Sequence, residues 1–349
     1  MNRPRRSESG KAATGLLVTA VVVGVFLLAY AVVWRRTSDP LVVYCAHDSV
    51  YSDAVLRDFE SSTGVAVAPK YDTEATKSLG LVELLIREKE RPRCDVFWNN
   101  ELLGTLQLQA EGVLQSYKGR GYERIPQAFK DPDGHWVGFG ARLRVYIVNT
   151  DRLDPTERAV GQTLDGDLSR VAIAKPIYGT TLTHYTVLWD LLGESGLKEW
   201  HADLRERGVL EATGNAHVKN LVAQGTCDLG FTDTDDYFVA RDEGRPVAVL
   251  PIRLPDGSTI CIPNTVCIIK GTRRPGDAQR LVDYLLSAEC ELALARSKSR
   301  QIPLGPADEA GLPPEVRELK EWAAAGVRLA GLGPARTACL TWLKQEYVQ

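Results

Sequence analysis

The sequence predicts an α/β protein built as two lobes in series, carried behind an apolar N-terminal segment. Three observations predict it. Strand-type and helix-type stretches alternate from residue 41 onward, which is the order of a parallel sheet covered by helices. The alternation is interrupted by strand-rich stretches near 135–150 and 248–268, where the chain would cross between lobes. Polar residues then recur just after strands in both halves, where ligands of open α/β sheets bind.

The N-terminal segment is set apart by composition. A basic stretch holding Arg3, Arg5, Arg6 and Lys11 precedes a run without charge from Ala12 to Trp34, and Arg35 and Arg36 follow. At about 1.5 Å per residue that run could cross a hydrocarbon core of about 30 Å. The larger positive cluster lies before it, so the N-terminus should stay in the cytoplasm and the remainder be exported. A retained anchor is expected over residues 12–34. Ala29-Tyr30-Ala31 has the form of a signal-peptidase site, which makes cleavage near Ala31 the competing reading.

In the exported part, "LVVYCA" is a strand, "SDAVLRDFESSTG" a helix stopped by Gly64, and "VAVAPKYDT" a second strand. "SLGLVELLIREKERP" is an amphipathic helix, "CDVFWNN" a third strand and "LLGTLQLQAEG" a helix closed by Gly112. "GHWVGFGARLRVYIVNT" is a long strand-type stretch. A second block follows: the strand "RVAIAKP", the helix after "IYGTTLTH", "GVLEATGN", a helix in "AHVKNLVAQG", and the strand "CDLGF". "RPVAVLPI" and "STICIPNTVCIIKG" are strands, and "GDAQRLVDYLLSAECELALARS" reads as one long helix. These elements group as 41–145 plus 255–305 in one lobe, 146–254 in the other, and 306–349 as a helical tail on the first lobe.

A hydrophobic content of 44% and a net charge of -3 fit a globular protein without the basic face of a general nucleic-acid binder. Seven cysteines are an odd number at wide spacing, so buried free thiols are the first expectation.

The densest functional signal is "GFTDTDDYF", with Asp233, Asp235 and Asp236 ahead of Tyr237. One or two of these acids could cap a helix. The stretch lacks the glycine and distal glutamate of an EF-hand, yet three close carboxylates suit a hard cation or an amine. His47 and Asp48 end the first strand, and Asn99, Asn100 and Glu101 end the third; a cap or a turn would also account for these. Gly179-Thr180-Thr181, just before a helix, could hold an anion, as could Thr76 and Lys77. The P-loop lysine and glycine spacing is missing there. The five histidines show no HExxH spacing and no GxSxG occurs, so no enzyme is expected.

Ten stretches in order, from "VVYCAHD" through "DVFWNNE", "AIAKPIYGTTLTH", "GNAHVKNLVAQG" and "GFTDTDD" to "LVDYLLSAECE", resemble the ferric-iron-type solute-binding proteins of ABC importers. The resemblance runs from about Leu41 to about Leu304. It implies a type II periplasmic-binding-protein fold: two hinge-linked α/β lobes that close over a ligand. It also implies a monomer working with a permease and an ATPase. Members that bind iron supply a His, a Glu and an adjacent tyrosine pair. The matching positions here are His47 or Asp48, Asn100 or Glu101, and the Asp235-Asp236-Tyr237 region, where one tyrosine remains. The resemblance thus implies Asp48, Glu101, Asp233, Asp235, Asp236 and Tyr237 around Fe3+. A synergistic anion such as phosphate or carbonate would sit on Gly179, Thr180, Thr181 and Asn215. Two alternatives stay open: a phosphorylated or aminophosphonate molecule held with help from Lys77 and Arg142, and a membrane-tethered sensor domain.

Overall fold

The computed structural model describes residues 39–72 and 79–347. The apolar run at 12–34, the cleavage position near Ala31, and Thr76 and Lys77 lie outside the described residues. Among the described residues no helix is long and apolar enough to cross a membrane.

The first βα units are β1 (Leu41–Cys45), α1 (Ser49–Thr63), β2 (Val67–Tyr71), α2 (Leu79–Arg87), β3 (Val96–Asn99) and α3 (Leu103–Ala110). The short β4 (Leu114–Gln115) and the long β5 (Val137–Asn149) follow. Next come α4 (Glu157–Asp165), β6 (Val171–Ala174), α5 (Gly179–Glu206), β7 (Leu210–Ala212), α6 (Asn215–Ala223), β8 (Leu229–Asp233), α7 (Thr234–Asp242) and β9 (Val247–Pro251). The chain continues through β10 (Cys261–Ile269), α8 (Pro275–Leu285), α9 (Ala288–Arg296), α10 (Pro314–Ala323) and α11 (Gly333–Tyr347).

The strands lie in the order β2-β1-β3-β10-β5-β8-β6-β7. β2, β1 and β3 are mutually parallel, as are β8, β6 and β7. Between these trios run the antiparallel β10 and β5. β5 is the shared element: Val137–Leu143 pair with β10, and Arg144–Asn149 pair with β8 and β9. At Gly140 its φ is +45°, a conformation that glycine adopts at low cost, close to where the β10 register shifts between Pro263 and Asn264. The two strand-rich stretches of the sequence are therefore the strands that connect the trios.

Both faces of the first trio are covered, so its strands read as unbroken apolar runs. On β3, Val96 and Trp98 join Phe59, Leu281 and Phe139 on one face, while Phe97 joins Val82, Leu85 and Leu108 on the other. Each such fully buried side chain contributes about 1.5–3 kcal/mol. Gly64, at φ +71°, ends α1 with its N–H donating to the Glu60 carbonyl.

Two expectations are corrected. The helix read as continuous through "LVDYLLSAECELALARS" is two, because the Ser287 side chain accepts from the Cys290 N–H and starts α9 afresh. The tail does not rest on the first lobe alone. Arg336 of α11 does reach Gln107 of α3, at 2.7 Å. The same helix packs along α5, however, with Trp342 against Trp189 and His201, and Tyr347 bonded to Glu211 of β7. All seven cysteines are buried and free, as the spacing suggested. Burial pushes the Cys45 and Cys261 thiols up to about 12, which leaves them unreactive at neutral pH.

Candidate functional site

β1 and β3 of the first trio and β6, β7 and β8 of the second end at one cavity of about 370 Å³. Among the described residues four helices begin at it: α1 after β1, α5 after β6, α6 after β7 and α7 after β8. Each helix start carries partial positive charge and outward N–H groups, so the cavity is built to attract anionic oxygen.

Beneath these helix starts lies a buried polar network. Asp233, at the end of β8, stands directly across from Arg144 of β5. Its carboxylate accepts from Arg144 Nη1 at 2.8 Å, Thr180 Oγ1 at 2.5 Å and Asn215 Nδ2 at 3.0 Å, and Arg142 Nε lies 3.5 Å away. Asn215 in turn accepts from Arg144 at 3.1 Å and from the Thr181 hydroxyl at 3.0 Å. Burial alone would raise the Asp233 pKa, but Arg144, Arg142 and the hydrogen bond from Thr180 hold it below the ordinary carboxylate value. Two consequences follow. Asp233 is committed to two guanidinium groups, which makes it a positioning residue. The Thr180 and Thr181 hydroxyls donate inward, so an incoming anion meets the backbone N–H groups at the starts of α5 and α6.

Arg142 is the buried guanidinium that lines the cavity. It is 3% exposed, Nη2 donates to the Asn100 carbonyl at 2.8 Å, and Nη1 has no hydrogen-bond partner among the described residues. Burial works against its charge, but Asp235, Asp233, Asp48 and Asp236 outweigh that and raise its pKa. Asp235 Oδ2 is 3.9 Å from Arg142 Nε, and Asp236 accepts from the Thr232 hydroxyl at 2.9 Å. Asp233, Asp235 and Asp236 each offer an oxygen within 4.8 Å of the others. Asp48 and Asn100 complete the lining from the opposite strand ends.

Three predicted ligands sit elsewhere. Glu101 folds back onto its own helix start, accepting from the N–H groups of Leu103 at 2.5 Å and Gly104 at 2.7 Å. It caps α3 and does not line the cavity, because four N-terminal N–H groups of a helix need acceptors. Tyr237 is turned one residue past Asp236 and packs on Phe238 and Arg241. His47 is buried and stacks on Trp98, with ring centroids 5.5 Å apart. Tyr51 was missed by sequence reasoning and does line the cavity from the first turn of α1. Burial, then Asp235, Asp236 and Asp48, push its phenol pKa upward. Lys175 and Lys219 were missed as well. Their only signal was position at a strand end and in a helix that starts at the cavity.

The profile of the family described as "Bacterial extracellular solute-binding protein" matches residues 41–297. The chain belongs to this family. It is 27% identical to an uncharacterized protein of Haemophilus influenzae over 292 residues, which are 75% of this chain and 77% of that protein. It is 26% identical to iron uptake protein A2 of Synechocystis over 156 residues, 43% of this chain and 42% of that one. Among solved structures, iron-bound HitA of Pseudomonas aeruginosa aligns with TM-score 0.76 at 21% identity, covering 88% of this chain and 99% of the other. AfuA of Actinobacillus pleuropneumoniae, with fructose-6-phosphate bound, aligns with TM-score 0.72 at 20% identity, covering 88% and 98%. These alignments establish the periplasmic-binding-protein fold for this solute-binding chain.

Proposed function

We propose that the chain is the substrate-binding component of an ABC importer and captures ferric iron together with an anion. The observation that carries this reading is the mixed charge of one lining. The carboxylates of Asp48, Asp235 and Asp236 share the cavity with Arg142, whose Nε is 3.9 Å from Asp235, and with the starts of α5 and α6. A hard trivalent cation would offset the repulsion among the carboxylates. Its companion anion would take the N–H groups of Gly179, Thr180 and Thr181, with Asn215 held in place by Asp233. Iron-bound HitA and the Synechocystis iron uptake protein lend support by similarity.

In this reading 41–145 plus 255–305 and 146–254 are the bodies that approach on binding. The ligand shifts the population toward the closed arrangement. The chain works as a monomer on the periplasmic face, tethered through residues 12–34, and delivers its cargo to a permease driven by an ATPase.

A second reading, a phosphorylated or aminophosphonate molecule, is favoured by the unpartnered Nη1 of Arg142 and a cavity larger than one ion requires. Thermal unfolding of the full chain with ferric citrate, citrate, inorganic phosphate and 2-aminoethylphosphonate separates the two. A ligand bound only by the folded state raises the midpoint by RT ln(1 + [L]/Kd) in free energy. A rise with ferric citrate that citrate alone does not give, and that Asp235→Ala and Asp236→Ala abolish, supports iron. A rise with the aminophosphonate alone moves the function to organic-anion uptake.

A further inference from the structure

Helix α5 links the cleft to a second, unrelated cavity. It starts at the cleft with Gly179–Thr181 and breaks at Gly193, whose φ of 72° interrupts the helix. Beside the break lies a cavity of about 270 Å³, walled by Leu188, Leu191, Leu192, Trp200, Phe231 and Ile252. Leu191 and Leu192 remain 46% and 41% exposed at its mouth. An apolar cavity of about 150 Å³ is already enough to take up benzene.

Polar side chains in the apolar wall are His184 and Tyr146, with Arg207 and Arg253 at the rim. His184, one turn beyond Thr180, lines the cavity while only 2% exposed, and its Nδ1 has no hydrogen-bond partner. An unsatisfied buried polar atom costs about 1–3 kcal/mol, so such an atom on a ring in the wall of an apolar cavity points to a ligand that can satisfy it. The two arginines at the rim are already engaged. Arg207 holds Asp203 and the carbonyls of Leu164 and Gly166, and Arg253 holds Glu157 and the Gly257 carbonyl. Neither cation is left to recruit an acid.

We propose that this cavity is a second ligand site, taking a small neutral aromatic or branched apolar molecule with one N–H or O–H that donates to the His184 imidazole. Burial, reinforced by the nearby Arg144, lowers the His184 pKa well below the ordinary imidazole value, so the ring is neutral and can accept. The site is separate from the cleft and does not depend on what the cleft binds.

The probes are indole and indene, equal in shape but with and without an N–H. The full chain in lipid nanodiscs is unfolded thermally with each, against empty nanodiscs as blank. Indole should raise the midpoint and indene should raise it less. Leu188→Trp, which fills the cavity, should abolish both shifts, and His184→Phe should make them equal. Leu192→Trp at the exposed mouth provides a second block if Leu188→Trp does not fold. Asp235→Ala, in the cleft, should leave the indole shift unchanged. No shift with indole, equal shifts with both probes in the unaltered chain, or an undiminished shift in the folded blocking variants would overturn the proposal.

Discussion

Replacing Asp233 by Asn tests whether this carboxylate supports the site from below or binds the ligand directly. The change keeps the size and removes the charge that Arg144 meets at 2.8 Å and Arg142 at 3.5 Å. Both guanidinium groups are buried, Arg144 completely. Removing one partner of a buried ion pair costs about 3–5 kcal/mol, because the remaining charge stays desolvated. Asp235→Asn should cost less than Asp233→Asn, since its Oδ2 lies 3.9 Å from Arg142 Nε, whereas Asp233 meets Arg144 at 2.8 Å and Arg142 at 3.5 Å. Urea unfolding reads both as shifts of the midpoint at constant slope. The pH dependence has a definite sign. The folded-state pKa of Asp233 is depressed, so its contribution is complete above the unfolded value of about 3.9. It is lost as pH falls through the folded pKa. The gap between the native chain and Asp233→Asn should therefore close in acid. Equal costs for Asp233→Asn and Asp235→Asn, or a gap that persists at low pH, would refute the reasoning.

Other expectations follow from individual contacts. Glu101→Ala should cost about 1–2 kcal/mol in urea unfolding through the lost cap on α3, yet leave the affinity for ferric citrate unchanged in a titration. Tyr237→Phe should likewise leave iron affinity unchanged, because the ring packs on Phe238 and Arg241. Gly179 has φ +52° with open space around it, so Gly179→Ala should cost about 1 kcal/mol in backbone strain and weaken anion retention, read by competition with phosphate. Arg142→Met should reduce binding of ferric citrate or of any phosphoryl ligand, measured by calorimetry, since its Nη1 is a buried donor without a hydrogen-bond partner among the described residues.

The parallel trios were legible because strand–helix alternation and glycine stops such as Gly64 are local signals. The clustering of Asp48, Asn100, Gly179–Thr181 and Asp235–Asp236 was legible for a related reason: strand ends of an α/β sheet converge. What stayed hidden depended on side-chain direction or on distant pairing. Glu101 follows a strand as a ligand would, and its return to the helix start needs Gly104, where a Cβ would lie 2.6 Å from its Oε1. Asp233 looked like one of three equivalent acids until the register of β8 on β5 placed it across from Arg144. Tyr237 differs from Asp236 only by one helical step, and Tyr51 was concealed among ordinary first-turn residues of α1. The run through Ser287 kept its apolar periodicity across the break, so only the cap geometry reveals two helices.

The most direct measurement is a calorimetric titration of the full chain with ferric citrate, repeated with the Asp235→Ala/Asp236→Ala double variant and with citrate alone. Saturable binding at one site per chain is expected, lost in the double variant and absent with citrate. Binding of undiminished affinity in the double variant would contradict it.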